Sequence, residues 1–394
     1  MATQEELAVL SYMAYGPSKR NELSTGSWAE VPDLTVVQAD TGLAATTYIN
    51  PSGEVVIAFR GTDDPIGFFE TDWEQGSVPA ALGWQSPQVA AAMRLVADVV
   101  ARYPTASITL TGHSLGGGLA SLLATCFDLP AVVFDPAPFG AAPANLYYNF
   151  ATGWMVSSAV MHEYFDGLRQ YVATAYPSGT TTSAAAVALN NLQRGFFDLV
   201  GGVASYAQRK LNATGFYLRG EGLASYRGLY PLASAPLVEL DPGVTQLTDP
   251  IALHGMPLLL ALLAAPSLRD ASARLPTLLP QLLDDSLYAH DDHSQQVNFL
   301  NRLLAAQLDP VATPASSALE RFSQELLRLG TSGSTRLPGV ERALIATTME
   351  YYYYADLTSA TPFLEPVAGG LRFDLQRIPA TSNQRGQALL LDAT

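Results

Sequence analysis

Ser114 stands between Gly112 and Gly116 in the segment 107–119, SITLTGHSLGGGL. A serine hydroxyl is a weak nucleophile at neutral pH. It becomes effective only when its oxygen is exposed and a base lies within hydrogen-bond reach. A sharp turn from strand to helix supplies the exposure, but it strains the backbone and brings neighbouring segments close. Glycine makes that approach possible because it has no Cβ to collide. The helix that follows aims its first N–H groups at the nucleophile, where negative charge develops during attack. Gly112-His113-Ser114-Leu115-Gly116 meets these requirements, because 107–112 reads as a strand and 115–126 as a helix. In a chain with 31 glycines a bare G-x-S-x-G could arise by chance, and the strand-then-helix setting is what gives it weight.

A base for Ser114 must come from five histidines, at 113, 162, 254, 290 and 293. His113 lies inside the turn, and its side chain is expected to point away from the nucleophile. His290 and His293 sit in the polar stretch YAHDDHSQQ, which reads as a solvated loop rather than a metal site. The chain has one cysteine, Cys126, so neither a disulfide framework nor a Cys-rich metal site is expected. No metal and no cofactor is called for.

The elements around the turn alternate. Residues 5–15 space their apolar side chains as a helix does and stop at Gly16-Pro17. Strands at 43–49 and 54–60 flank Asn50-Pro51-Ser52-Gly53 and predict a hairpin. A helix at 88–102, the strand 107–112, the helix 115–126 and a strand at 131–135 follow. This rhythm predicts an α/β fold, a mostly parallel sheet flanked by helices. From 141 to 214 the alternation stops, and an aromatic-rich helical insertion over the carboxyl edge of the sheet is expected. Strands resume at 215–219 and 236–240. A helix-rich region runs from about 257 to 350, and the tail 363–378 suggests a hairpin turning at Gly369-Gly370. The expected division is therefore 1–260, with the insertion at about 141–214, and a helix-rich 261–394. The run Tyr351–Tyr354 is expected to pack in a strand or an interface.

GHSLGGGLA, together with VIAFRGTDD at 56–64 and Asp72-Trp73, resembles the class 3 (fungal-type) lipases of the α/β-hydrolase superfamily. The likeness covers about 43–135 and is weak beyond. It implies an α/β-hydrolase fold in which the backbone N–H groups of Thr62 and Leu115 form the oxyanion hole. Chain order in that superfamily is serine, acid, histidine. It implies His254 as base, because that residue follows the last strand in LTDPIALHGMP. For the acid, the place after the penultimate strand holds Glu221, where the family has Asp-Pro-[VI] and this chain has Glu-Gly-Leu. Asp135, in VVFDPAPFG, is the alternative acid, because a similar Asp-Pro-Ala carries it in pancreatic-type lipases; Asp249 is a weaker rival.

The expected activity is that of a serine carboxylic-ester hydrolase acting on lipid esters, a triacylglycerol lipase or phospholipase A1 type. The alternatives are a non-catalytic lipid-binding or interaction module on the same fold, a thioesterase, a polyesterase or a peptidase. Tyr147, Tyr148, Phe150, Trp154, Met155, Met161, Tyr164, Phe165, Phe196 and Phe197 suggest a lid over an acyl cleft. With 21 Lys and Arg against 36 Asp and Glu, the net charge is −15, which disfavours nucleic acid and anionic membranes as partners. Transient contact with a membrane or lipid droplet would then be apolar, through the lid. The start MATQEELAVL lacks a basic segment, and MPLLLALLAA is too short to span a bilayer. A cytoplasmic location, or export without a Sec signal, is the expectation; the oligomeric state is not legible.

Overall fold

The computed structural model describes residues 1–16, 23–38, 40–62, 85–141, 146–149, 154–157, 159–224, 236–243, 250–283, 299–300, 303–304, 318–331, 338–354, 362–368 and 370–373. The chain forms two compact units. One comprises Met1–Gly16 and Ser27–Glu239, the other Pro17–Gly26 and Leu240–Thr394. The apolar helix 256–264 packs on the helices that follow it.

The first unit opens with α1 (Gln4–Met13). Thr3 caps it, accepting the Glu6 N–H at 3.1 Å while the Glu6 carboxylate accepts the Thr3 N–H at 2.7 Å. Two short strands, β1 (Ala29–Glu30) and β2 (Val36–Val37), edge the sheet beside β3 (Ala44–Ile49). β3 and β4 (Val55–Phe59) form the expected hairpin, with Ala45 opposite Phe59. Asn50 sets the turn, its Oδ1 accepting the N–H groups of Ser52 and Glu54, both at 3.0 Å.

Next come α2 (Pro87–Arg102), β5 (Ile108–His113), α3 (Leu115–Phe127) and β6 (Ala131–Phe134). The hairpin β7 (Leu146–Asn149) and β8 (Trp154–Ser157) precedes α4 (Val160–Ala175) and α5 (Ser183–Val200). After the short α6 (Tyr206–Arg209), β9 (Ala213–Leu218) and β10 (Leu237–Leu240) complete the sheet, in the order β1-β3-β4-β5-β6-β9-β10 with β2 beside β3. β4, β5, β6 and β9 run parallel, as alternation predicted. The strand β4 is buried along its whole length, as a strand covered on both faces must be.

Side chains of β5 divide the two faces. The Thr111 hydroxyl reaches the Leu7 carbonyl of α1 at 3.3 Å, whereas Gly112 abuts Gly116 and Gly117 of α3. At the far end of α3, the buried Arg209 guanidinium donates to the Cys126 carbonyl at 3.3 Å. A cation is favoured there, at the negative end of the helix dipole. Burial pushes the Cys126 thiol up, so it stays protonated.

The insertion differs from expectation. Tyr164, Phe165 and Phe196 are core side chains, packed with residues of α2 and α3. Phe165 meets Phe196 edge to face at 5.4 Å, and Phe196 meets Phe127 of α3 at 5.6 Å. Helices α4 and α5 thus help cover one face of the sheet, and their largest aromatics are not part of a lid. Of the lid residues on α5, Phe197 is the exposed one. Phe150 lies outside the described residues.

The second unit comprises α7 (Pro250–Leu253), α8 (Met256–Ala264), α9 (Pro266–Arg274), α10 (Leu278–Leu282), α11 (Ala318–Thr331), α12 (Pro338–Tyr354) and the hairpin β11 (Leu364–Val367) and β12 (Gly370–Phe373). Pro266 begins α9, because a first-turn N–H needs no partner in the helix. Gly369 lies outside the described residues. The Tyr351–Tyr354 run ends α12 and is not a strand. Tyr352 stacks edge to face on Phe322 at 5.4 Å, and its hydroxyl donates to Glu325 at 2.6 Å, so packing overrides β propensity. Glu325 also accepts the Phe363 and Leu364 N–H groups at 3.0 Å, tying the hairpin to α11. No helix among the described residues is long and apolar enough to cross a membrane.

Candidate active site

Ser114 joins β5 to α3 with φ 55° and ψ −126°, a strained conformation for a residue with a Cβ. It stands at the N-cap of α3, yet its side chain makes no capping bond to the helix. Its backbone is held from β6 and beyond: the Ser114 N–H donates to the Phe134 carbonyl at 3.0 Å, and its own carbonyl accepts the Ala137 N–H at 2.8 Å. Gly116 lies against the Phe59 carbonyl and Arg60, and Gly112 against Gly116 and Gly117, so a side chain at either would force the turn open. Ser114 is half-buried, whereas His113 and Leu115 on either side of it are buried.

The chain after β4 comes up beside this turn. Arg60 donates its N–H to the Ala44 carbonyl at 3.0 Å, and Gly61 follows. A Cβ on Gly61 would lie 3.0 Å from the Ser114 Cβ and 2.8 Å from the His113 carbonyl oxygen. Thr62, the next residue, is half-buried. Gly61, the residue before Thr62, and Leu115 therefore flank the serine from two different segments. Asp72 and Trp73 lie outside the described residues.

Asp135 and Glu221, the two carboxylates the sequence put forward, are both buried. Asp135 ends β6, fully buried, with φ 40°. Its Oδ1 accepts the Leu218 N–H of β9 at 2.9 Å, and its Oδ2 lies 4.0 Å from the Nε2 of His113. Glu221 is also buried, but its Oε2 accepts the N–H of Leu223, two residues on, at 2.7 Å. One oxygen of the Glu221 carboxylate thus closes its own turn.

His254 lies in the second unit, half-buried on the turn that closes α7, with its N–H donating to the Pro250 carbonyl at 3.1 Å. His162 is exposed on the first turn of α4. Asp249, His290 and His293 lie outside the described residues. The buried ring of His113 faces α1, where its Nδ1 lies 2.6 Å from the Tyr15 hydroxyl. Sequence reasoning missed Tyr15. Its one signal was its place at the end of an apolar helix, just before Gly16-Pro17.

Residues 6–145, which hold the serine turn, Thr62 and Asp135, match the Tle-like phospholipase domain. Among curated proteins, the chain is 42% identical over 72 residues to lipase ATG15 of Candida glabrata, 18% of this chain and 14% of that protein. It is 44% identical over 63 residues to lipase ATG15 of Vanderwaltozyma polyspora, 16% and 11% of the respective lengths. With lipase ATG15 of Penicillium rubens the identity is 45% over 56 residues, 14% and 8%. The matched segments span at most 14% of these relatives' own lengths. At that coarse level, the segment of the chain that carries the serine turn is lipase-like.

Proposed function

We propose that the protein is a serine hydrolase of lipid carboxylic esters. The observation that carries this reading is Ser114 itself. A strained backbone at a strand-to-helix junction, with a side chain that does not cap the helix, costs about 1 to 3 kcal/mol. Exposure of a nucleophilic oxygen accounts for it.

In this reading the Ser114 Oγ attacks the ester carbonyl as its proton passes to the His254 imidazole. The N–H groups of Leu115 and Thr62 hold the oxyanion, and the start of α3 adds its positive dipole end. The alcohol leaves with the proton from His254, and water then releases the acid from the Ser114 ester by the same steps in reverse. His254 is chosen for its place after the last strand and after Ser114 in chain order.

For the acid, the geometry of the first unit favours Asp135 over Glu221. Asp135 lies at the end of the strand next to β5, fixed by the Leu218 N–H, whereas the Glu221 carboxylate closes a local turn. This is the pancreatic-type position. A lipid ester is the substrate class that the lipase-like segment supports, and with a net charge of −15 the protein would meet lipid through apolar contact.

A fluorophosphonate probe tests the reading. Labelling of wild type but not of Ser114→Ala is the expected result, followed by turnover of p-nitrophenyl esters and release of fatty acid from triacylglycerol or phospholipid. Unlabelled Ser114 in folded protein would leave a lipid-binding module as the better account.

A further inference from the structure

We propose that Tyr15 is a positioning residue for this chemistry, acting through His113; the proposal rests on the hydrolase reading above. Tyr15 follows α1, where its N–H donates to the Tyr12 carbonyl at 3.1 Å, and the chain then turns at Gly16 with φ 122°. The helix is fastened to the same face of β5 two residues earlier, through Thr111 and the Leu7 carbonyl. The Tyr15 side chain is thereby carried to the end of β5.

There two contacts of the phenol oxygen bear on the site. It lies 2.6 Å from the Nδ1 of His113, and it lies against Gly61 so closely that a Cβ on that residue would collide with it. In this proposal the protonated phenol of Tyr15 is the donor and Nδ1 the acceptor. The neutral imidazole then carries its own hydrogen on Nε2, the nitrogen that faces Asp135 Oδ2 at 4.0 Å. With the other tautomer a nitrogen lone pair would face the carboxylate and repel it. Tyr15 thus selects the ring state that suits an ionised Asp135.

His113 is also the residue before Ser114, and Gly61 is the residue before Thr62. One hydroxyl therefore bears on the three segments that carry the nucleophile, the acid and an oxyanion donor. A residue needed only to fill space would do this as well with phenylalanine. Tyr15 is half-buried, and its ring sits 5.8 Å from that of His113, a packing contact that Tyr15→Phe keeps.

The test uses the full chain, p-nitrophenyl butyrate and the fluorophosphonate probe. Tyr15→Phe is expected to lower kcat about tenfold, which is about 1.4 kcal/mol of barrier and the scale of one hydrogen bond, with KM little changed. Nitrogen-15 spectra of the His113 ring, assigned by their loss in His113→Gln, should show one Nε2–H tautomer in wild type and a mixture in Tyr15→Phe. Tyr15→Phe combined with His113→Gln should be no slower than His113→Gln alone. Wild-type kcat in Tyr15→Phe, with Ser114 still taking the probe, overturns the proposal, and so does an unchanged tautomer. If wild-type Ser114 does not take the probe, the hydrolase reading fails instead, and the role of Tyr15 in it falls with it.

Discussion

Gly116 of α3 lies against the carbonyl of Phe59 in β4, with no room for a side chain between them. The obstacle is main chain, which cannot swing aside. Gly116→Ala should therefore separate the serine turn from the strand end that leads to Thr62. A loss of stability of about 1 to 3 kcal/mol is expected, together with a large loss of esterase activity. Thermal melting and turnover on a soluble ester measure both; an active Gly116→Ala with an unchanged Tm would contradict the close approach.

Ser114→Ala should lower kcat on the order of 10³-fold or more while leaving Tm close to wild type, because alanine meets the same backbone strain. Ser114→Gly should be equally inactive but more stable than Ser114→Ala, since glycine adopts φ 55° without a clash. The order of the two Tm values tests the strain separately from the chemistry.

His254→Ala should match the loss in Ser114→Ala, and the double variant should cost little more, as expected of groups that act as a unit. Additive losses measured in kcat would mean that Ser114 takes its base from elsewhere, and His290 and His293 would be the next to replace.

Asp135→Asn keeps the shape of the side chain but removes its charge. A fall in kcat on the order of 10³ to 10⁴-fold is expected, by loss of support for the imidazolium. Glu221→Gln should act mainly on stability, because the Glu221 carboxylate holds the Leu223 N–H. The reverse ranking on one soluble ester would return the acid to the penultimate strand.

Burial raises the Glu325 carboxyl above its ordinary value, against the opposing hydrogen bonds from Tyr352, Leu364 and Phe363. The neutral form suits the fold, so the stability it contributes is complete below the ordinary value of 4.5 and is lost as pH rises through the raised value. Glu325→Gln does not titrate. Its Tm relative to wild type should therefore improve from acidic to mildly alkaline buffer; a constant difference would contradict the raised value.

The serine turn and the sheet around it were legible because their signals are local. Gly112, Ser114 and Gly116 name a backbone geometry, and Asn50 to Gly53 name a turn. The choice between Glu221 and Asp135 was not legible, because it depends on where each carboxylate points and not on its place in the chain. At Phe165 and Phe196 the lid was over-read for a similar reason. Phe165 and Phe196 are as apolar in a core as in a cleft, and only their contact with Phe127 assigns them to the core. Of the two expectations for the Tyr351–Tyr354 run, a strand or packing, the helix rules out the strand, and Phe322 and Glu325 pack Tyr352.

Ser114 and Asp135 both sit at positive φ, at the ends of neighbouring strands. Each position is one at which drift toward glycine would relax the chain at once. In a lineage released from selection for activity, these two should be among the first to change, well before the buried residues of β4. Side chains retained at both would mark a copy still under use, and glycine at both would mark one kept, if at all, for its shape.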